Sequence, residues 1–307
     1  MSDSFVPPGI DLPPSTLPAR LAELAAYLAA PAAGRLTEEQ RALALGIARR
    51  LVCEIARELD RGIDADILWQ SWLADGVPAA ARLAAPCFAR AEEHRWREQS
   101  MQQAAMPFAG AAGDARPESE QETLSAVDRA YLQLQIADGR RRDALGSPCI
   151  APADLDPALF RTLLLDIAAW QLGRIEGDQG EGARLGNAVN GLMAKQASAP
   201  GIDAAARDYH AALAAEQALA EAAETAIARH DWPALIALAA SAHGARFEAM
   251  AVALLSAEPA ALPLLLAPLR LDRAALAPLE ASFAQLTDRA VPGVLADHSA
   301  PRAEVRG

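Results

Sequence analysis

The segment from Asp203 to Asp288 constrains the fold most, because it consists of short helical patterns that each end at a glycine, a proline or a capping aspartate. In the first pattern, steps of three and four residues place one set of side chains on a single helix face: Tyr209, Leu213, Glu216, Ala220, Ala223 and Ile227. Asp231 followed by Pro233 is typical of a helix start, and Gly244 of a left-handed helix end. Successive short helices rich in alanine predict a closely stacked helical array.

The rest of the chain is also predicted to be helical. Hydrophobic residues make up 52% of it and aromatic residues only 5%, a composition that favours helices over strands. The stretch QSMQQAAMPFAGAAGDARPESEQET has almost no periodic apolar positions and is typical of a linker. We therefore expect an all-α protein in two helical halves: a flexible tail over residues 1–14, an N-terminal helical domain over 15–98, a flexible linker over 99–123, a C-terminal array of short antiparallel helices over 124–290, and a tail over 291–307.

Several helix starts are encoded locally. Thr37 and Gln40 have the spacing of a capping box, in which each side chain bonds the other residue's backbone amide. Asp64 is predicted to cap the next helix, and Asp156 with Pro157 to open a later one.

Three further features bear on the architecture. Pro86 is expected to break or kink a helix, and the glycine-rich stretch from Gly173 to Gly191 is expected to form loops between helices. A first helix is predicted from a stripe of Leu17, Leu21, Leu24 and Leu28. Residues 41–56 and 161–176 agree at six of sixteen positions, which suggests two related helical halves.

Composition also bears on location and partners. The formal net charge of -12 argues against non-specific binding to nucleic acid or to an anionic membrane, since both require a basic surface. The first residues do not resemble a secretory signal, and no uninterrupted apolar run reaches the roughly 18–20 residues of a membrane helix. Cys53, Cys87 and Cys149 are odd in number and far apart, which suits reduced thiols. We expect a soluble, cytoplasmic protein.

Three stretches carry a resemblance to a known family: RLTEEQRALALGIARRLVCEIARELDR, DLDPALFRTLLLDIAAW and AAETAIARHDWPALIALAASAHGARFEAMAVALLSAE. They are similar to an alphaproteobacterial family of uncharacterised α-helical proteins with HEAT-like repeats, known only as a domain of unknown function. The resemblance spans most of the chain between Leu17 and Ala290. It implies a helical array and an alphaproteobacterial source, and it supplies no catalytic residues.

Two places are candidates for partner binding. Arg140, Arg141 and Arg142 form the only basic triplet of an acidic chain, so they are either a helix end that favours positive charge or a docking site for an acidic or phosphorylated partner. Trp96 lies among charges in EEHRWREQ and is either an exposed interface anchor or a residue that packs under the linker.

Two polar residues of the array are candidates for chemistry. His210 on its long helix is a possible phosphoacceptor, although a lone histidine on an alanine-rich helix is more often an ordinary surface residue. Glu216 interrupts an apolar stripe, so it is either a buried carboxylate paired with an arginine or a residue at the edge of the stripe. Metal-ligand spacings, phosphate loops and catalytic triads are not found in the sequence, and no cofactor is predicted.

These patterns favour a non-catalytic interaction or regulatory scaffold, because stacked helices present extended surfaces. Its partner would be another protein, and self-association into a homodimer is possible. Two alternatives stay open: a phosphotransfer module that uses His210, and a small-ligand binder with a cavity lined by Trp170, Glu216 and an arginine.

Overall fold

The computed structural model describes residues 24–25, 36–104, 124–174 and 179–286, and within these ranges the protein is all-α, as the sequence predicts. The two tails, most of the linker and most of the first predicted helix lie outside the described residues. The α-helices are α1 (Glu38–Leu59), α2 (Ala65–Asp75), α3 (Ala80–Ala104), α4 (Ala126–Gly139), α5 (Pro157–Leu172), α6 (Gln179–Ser198), α7 (Ile202–Ala215), α8 (Leu219–Ala228), α9 (Trp232–Ala242), α10 (Phe247–Ser256), α11 (Leu262–Leu265) and α12 (Ala277–Gln285). Short 3-10 turns lie at Pro152–Asp154, Ala267–Leu269 and Arg273–Leu276.

The locally encoded helix starts are confirmed. Thr37 Oγ1 accepts from the amide of Gln40 at 3.2 Å, and Gln40 Oε1 accepts from the amide of Thr37 at 3.1 Å, so both halves of the capping box form. Asp64, Asp156 and Asp231 each accept backbone amides from the first turns of α2, α5 and α9.

The helices differ from the prediction at three places. Helix α3 runs through Pro86 without a break and on to residue 104, so residues 98 and 99, where a domain boundary was expected, lie inside one helix. The glycine-rich stretch is largely helix α6, because Leu185 and Val189 bury one side of it and outweigh the intrinsic cost of glycine. The long helix predicted after Asp203 is two helices, α7 and α8, since the backbone turns at Gln217 with a φ of +58°.

The buried apolar side chains form two clusters, and α3 contributes to both. Helices α1, α2, α5, α6 and the first half of α3 build the first cluster, whereas α4 and α7 to α12 build the second. Phe88 of α3 belongs to the first cluster and Trp96, two turns later, to the second. Because α5 and α6 follow the expected linker in sequence but pack in the first cluster, residues from both of the expected helical domains build that cluster.

Candidate functional site

The three arginines that end α4 lie in three different environments. Arg140 is exposed, with Nη1 3.5 Å from the carbonyl oxygen of Pro200, and Arg142 is half-buried. Arg141 is 5% exposed and lies in the interior. The expectation of a docking surface made by the whole triplet is therefore wrong for Arg141, whose charge is neutralised by carboxylates inside the protein.

Arg141 and Glu93 form the centre of a buried ion network. Arg141 donates from Nη2 and Nη1 to the two carboxylate oxygens of Glu93 at 2.5 and 3.0 Å. Arg97 makes a second bidentate pair, donating from Nη1 and Nη2 to the two carboxylate oxygens of Asp138 at 2.8 Å each. Arg90 lies 3.4 Å from Glu93 and donates two hydrogen bonds to backbone carbonyls. Bidentate arginine–carboxylate pairs fix the relative orientation of the two side chains as well as neutralising their charges.

The sequence positions this network through two helices. Arg90, Glu93 and Arg97 are spaced three and four residues apart, so they share one side of α3, and Asp138 and Arg141 come from the end of α4. Burial raises the pKa of Glu93, but the charges of the surrounding arginines outweigh burial and hold that pKa well below its usual range. Burial lowers the pKa of Arg90 to about 10, far above neutrality. Glu93 and Arg90 therefore both carry charge near neutral pH.

Trp96 is not an exposed anchor. Its side chain is fully buried, with its ring stacked on that of Trp232 at a centroid distance of 4.5 Å and tilted against Phe283 at 4.8 Å. Its indole Nε1 donates to Ser282 Oγ at 3.0 Å, while Trp232 Nε1 donates to Ser100 Oγ at 2.8 Å. The neighbouring charges are buried or half-buried in paired networks, which leaves the indole free to pack in the second cluster.

A small cavity lies beside the ion network. It has a volume of about 20 Å³, enough for roughly one water molecule, and Arg90, Glu93, Asp154 and Glu248 are among its lining residues. Within the described part of the chain, Arg90 Nη1 and Asp154 Oδ2 have no hydrogen-bond partner. Burial raises the pKa of Asp154 and of Glu248. These groups can bind a water molecule, but the cavity does not admit an organic ligand.

The starts of α7 and α10 and the 3-10 turn at Pro152–Asp154 are joined in a ring around that cavity. Asp154 Oδ1 accepts the amide of Ile202 at 2.7 Å at the start of α7, and Asp203 Oδ1 accepts the amide of Phe247 at 2.6 Å at the start of α10. Arg246 closes the ring by donating to the carbonyl oxygen of Asp154 at 2.8 Å. Neither α7 nor α10 is capped by its own N-cap side chain, so these carboxylates from other elements satisfy their first amides.

A larger, open groove of about 510 Å³ runs between α1, α3 and the loop at residues 145–148. Its polar lining includes His94 and Glu98, one turn apart on α3, and its apolar lining includes Leu43 and Leu145. Burial lowers the pKa of His94, and the nearby arginines lower it further, although the charge of Glu98 opposes them. The volume falls in the range of small-molecule sites. Sequence reasoning missed this groove because its walls come from distant segments.

His210 and Glu216 lie at different positions along α7. His210 is half-buried on α7, and burial lowers its pKa. Glu216 is exposed at the C-terminal end of α7, so it is not a buried carboxylate, and the helix stops there because the chain turns at the next residue. Trp170 is covered by Arg174, whose guanidinium lies 4.8 Å from the ring centroid. The two cavities described above are lined by neither Trp170 nor Glu216, which were expected to line a ligand pocket with an arginine.

The outer face of α4 carries a feature that the sequence analysis missed. Leu132 and Ile136 are 47% and 42% exposed, although Leu134 between them is fully buried. Four of the ten large apolar side chains exposed in the described residues lie between Leu124 and Ile136. A signal was present, because apolar residues at 131, 132, 134 and 136 are too many for one helix face. We call the helix face that carries Leu132 and Ile136 the α4 outer stripe.

Comparisons with protein-family models, with curated proteins and with solved structures found no match. Among the helices described, none combines the length and apolarity needed to cross a bilayer. The same residues contain no grouping of three or more histidine, cysteine, aspartate or glutamate side chains suited to a metal ion.

Proposed function

We propose that this chain is a non-catalytic interaction scaffold, built on a HEAT-like array of helices in two halves, that binds another protein through the α4 outer stripe. The observation that carries the proposal is the pair Leu132 and Ile136, two exposed apolar side chains one turn apart on one face of α4. Neighbouring exposed apolar side chains are typical of protein interaction sites.

The opposite side of α4 supports this proposal. Leu134 and Ala137 pack in the second cluster, and Asp138 is held by Arg97 and Arg141. A helix fixed by both apolar and charged contacts presents its outer face without paying an ordering cost on binding. Cytoplasmic location belongs to the same proposal and is supported by three free, buried cysteines.

The test is affinity isolation from native cells with two matched variants. We expect the wild-type chain to retain a specific protein partner and the double variant Leu132→Gln, Ile136→Gln to lose it, because glutamine removes apolar area but keeps helix propensity. The control is Leu165→Gln, since Leu165 on α5 is also 47% exposed.

A partner lost from the control variant as well, or retained by the double variant, contradicts the proposal. Circular dichroism of all three chains checks that helicity is unchanged.

A second candidate function is small-ligand binding in the groove that contains His94 and Glu98. Its volume of about 510 Å³ and its mixture of apolar and polar walls favour this candidate. Native mass spectrometry of the purified chain tests it: a co-purifying small molecule that is lost in His94→Ala but retained in His210→Ala supports ligand binding. Absence of any bound mass from the wild-type chain contradicts it.

A further inference from the structure

The α4 outer stripe has a charge pattern as well as an apolar one. Arg129, Leu132, Ile136 and Arg140 follow at steps of three, four and four residues, so they share one helix face. The two arginines lie at its ends, eleven residues apart, which corresponds to about 16 Å along a helix. Asp128 lies at the edge of this face, one turn before Leu132. Its carboxylate accepts a hydrogen bond from Ser125 Oγ at 2.8 Å.

Neither arginine has an acidic partner in the described part of the protein. Arg129 and Arg140 are exposed, and the ion pairs of the neighbouring helices do not include them. Among the residues that the structure describes, the side chain of Arg140 contacts the carbonyl oxygen of Pro200 at 3.5 Å. In a chain with a net charge of -12, two exposed arginines that bracket an apolar pair and have no ion pair among the described residues are a local exception. Such charges select a partner by complementarity.

We infer that the α4 outer stripe binds an acidic amphipathic helix, in which two apolar residues are bracketed by carboxylates about three turns apart. The inference rests on the proposed function and names its partner class. The apolar pair of the ligand covers Leu132 and Ile136, and its carboxylates pair with Arg129 and Arg140. This is recognition of a helix by a helix face, with anchors at the spacing of successive turns.

A second copy of this chain fits the stripe poorly. An antiparallel two-fold pair that places Leu132 against Ile136 of the other copy brings Arg129 beside the other copy's Arg140, and a parallel pair sets each arginine beside its own equivalent. Both arrangements put like charges at the ends of the apolar contact, which is unfavourable. The stripe therefore does not support the homodimer considered from the sequence.

The inference is tested with two synthetic 18-residue helical peptides. Both contain leucines at a four-residue spacing, and the flanking end positions are glutamate in one peptide and lysine in the other. We expect the wild-type chain to bind the glutamate peptide about tenfold more tightly in fluorescence anisotropy at low salt, since two ion pairs separate the peptides. In the double variant Arg129→Glu, Arg140→Glu the preference is expected to reverse.

The matched control is Arg161→Glu, an exposed arginine on α5 without a described ion pair, which should keep the wild-type preference. Equal binding of the two peptides, a preference unaffected by the α4 charge reversal, or no binding overturns the inference. Sedimentation that shows a dimer abolished by Leu132→Gln, Ile136→Gln overturns it in favour of a second copy. If the native partner is lost with that apolar variant but retained by the charge-reversed one, the proposed function stands while the acidic-partner inference fails.

Discussion

Replacement of Glu93 by glutamine probes the buried ion network most directly. The Glu93 side chain is 1% exposed and has Arg141, Arg90 and Arg97 within 3.4 Å. In Glu93→Gln the amide oxygen still accepts one hydrogen bond from Arg141, but the amide nitrogen is a donor that faces other donors. Three buried guanidinium groups then share one carboxylate fewer.

Removing one partner of a buried ion pair costs about 3–5 kcal/mol, because the remaining charge stays buried without compensation. Asp138 still lies 3.4 Å from Arg141 in the variant, so the lower end of that range applies. We expect a loss of about 3 kcal/mol in the free energy of unfolding, or a shift of about 1 M in the urea midpoint for a slope of about 3 kcal/mol/M.

The assay is urea unfolding followed by circular dichroism, with Arg49→Gln as the control. Arg49 pairs with Asp66 at 2.8 Å, but both side chains are more than half exposed, so its loss should cost less than about 1 kcal/mol. The reasoning is refuted if the two variants lose similar stability.

The same variant has a defined pH dependence. A carboxyl whose pKa is lowered on folding stabilises the folded state above its unfolded pKa, about 4.5, and that stability is lost as the pH falls through the lower folded pKa. Wild type and Glu93→Gln should therefore differ most near neutral pH and converge as the pH falls below about 4.5. A constant difference from pH 7 to pH 2 contradicts the assignment of charge to Glu93.

Three further predictions address packing. Gly201→Ala should lower the free energy of unfolding by about 1–3 kcal/mol, because a Cβ there would lie 2.7 Å from Asp154 Oδ1 and 2.8 Å from a backbone carbonyl oxygen. Gly191→Ala is the matched control, because the space around Gly191 is open. It should raise the free energy of unfolding by about 0.5–1 kcal/mol in the same urea assay. Trp96→Ala should cost about 3–5 kcal/mol in that assay, and a cost below 1 kcal/mol would contradict its place in the core. Cys87 is fully buried, and burial raises its thiol pKa, so mass spectrometry should find it labelled by a thiol reagent only in urea concentrations that unfold the chain.

Local signals in the sequence predicted the helix starts well. The capping box at Thr37 and the caps at Asp64, Asp156 and Asp231 involve residues only two or three positions apart, so no tertiary information is needed. Composition predicted the helical fold class, again without any tertiary information. By contrast, the caps of α7 and α10 come from Asp154 and Asp203 of other elements, and no local pattern indicates them.

The candidate site could not be predicted in this way, because burial of charge depends on distant partners. The charged run around Trp96 has the pattern of a solvated helix face, and the arginine triplet has that of a helix end. The pairing of Glu93 with Arg141 joins residues 48 positions apart, and the hydrogen bond from Trp96 to Ser282 spans 186. Periodicity identifies which residues share a face, but the tertiary fold decides what covers that face.

The position of the ion network gives its charges a structural role. Helix α3 carries apolar side chains into the first cluster at Phe88 and into the second at Trp96, and its buried charges lie between these two residues. Apolar contacts alone tolerate many relative placements of two helices, whereas the two-pronged pairs of Arg97 and Arg141 satisfy their geometry in one placement. Those pairs hold the inner side of α4 at its C-terminal end. The buried network therefore fixes the helix whose outer stripe we propose as the binding surface, so Glu93→Gln should weaken partner binding as well as stability.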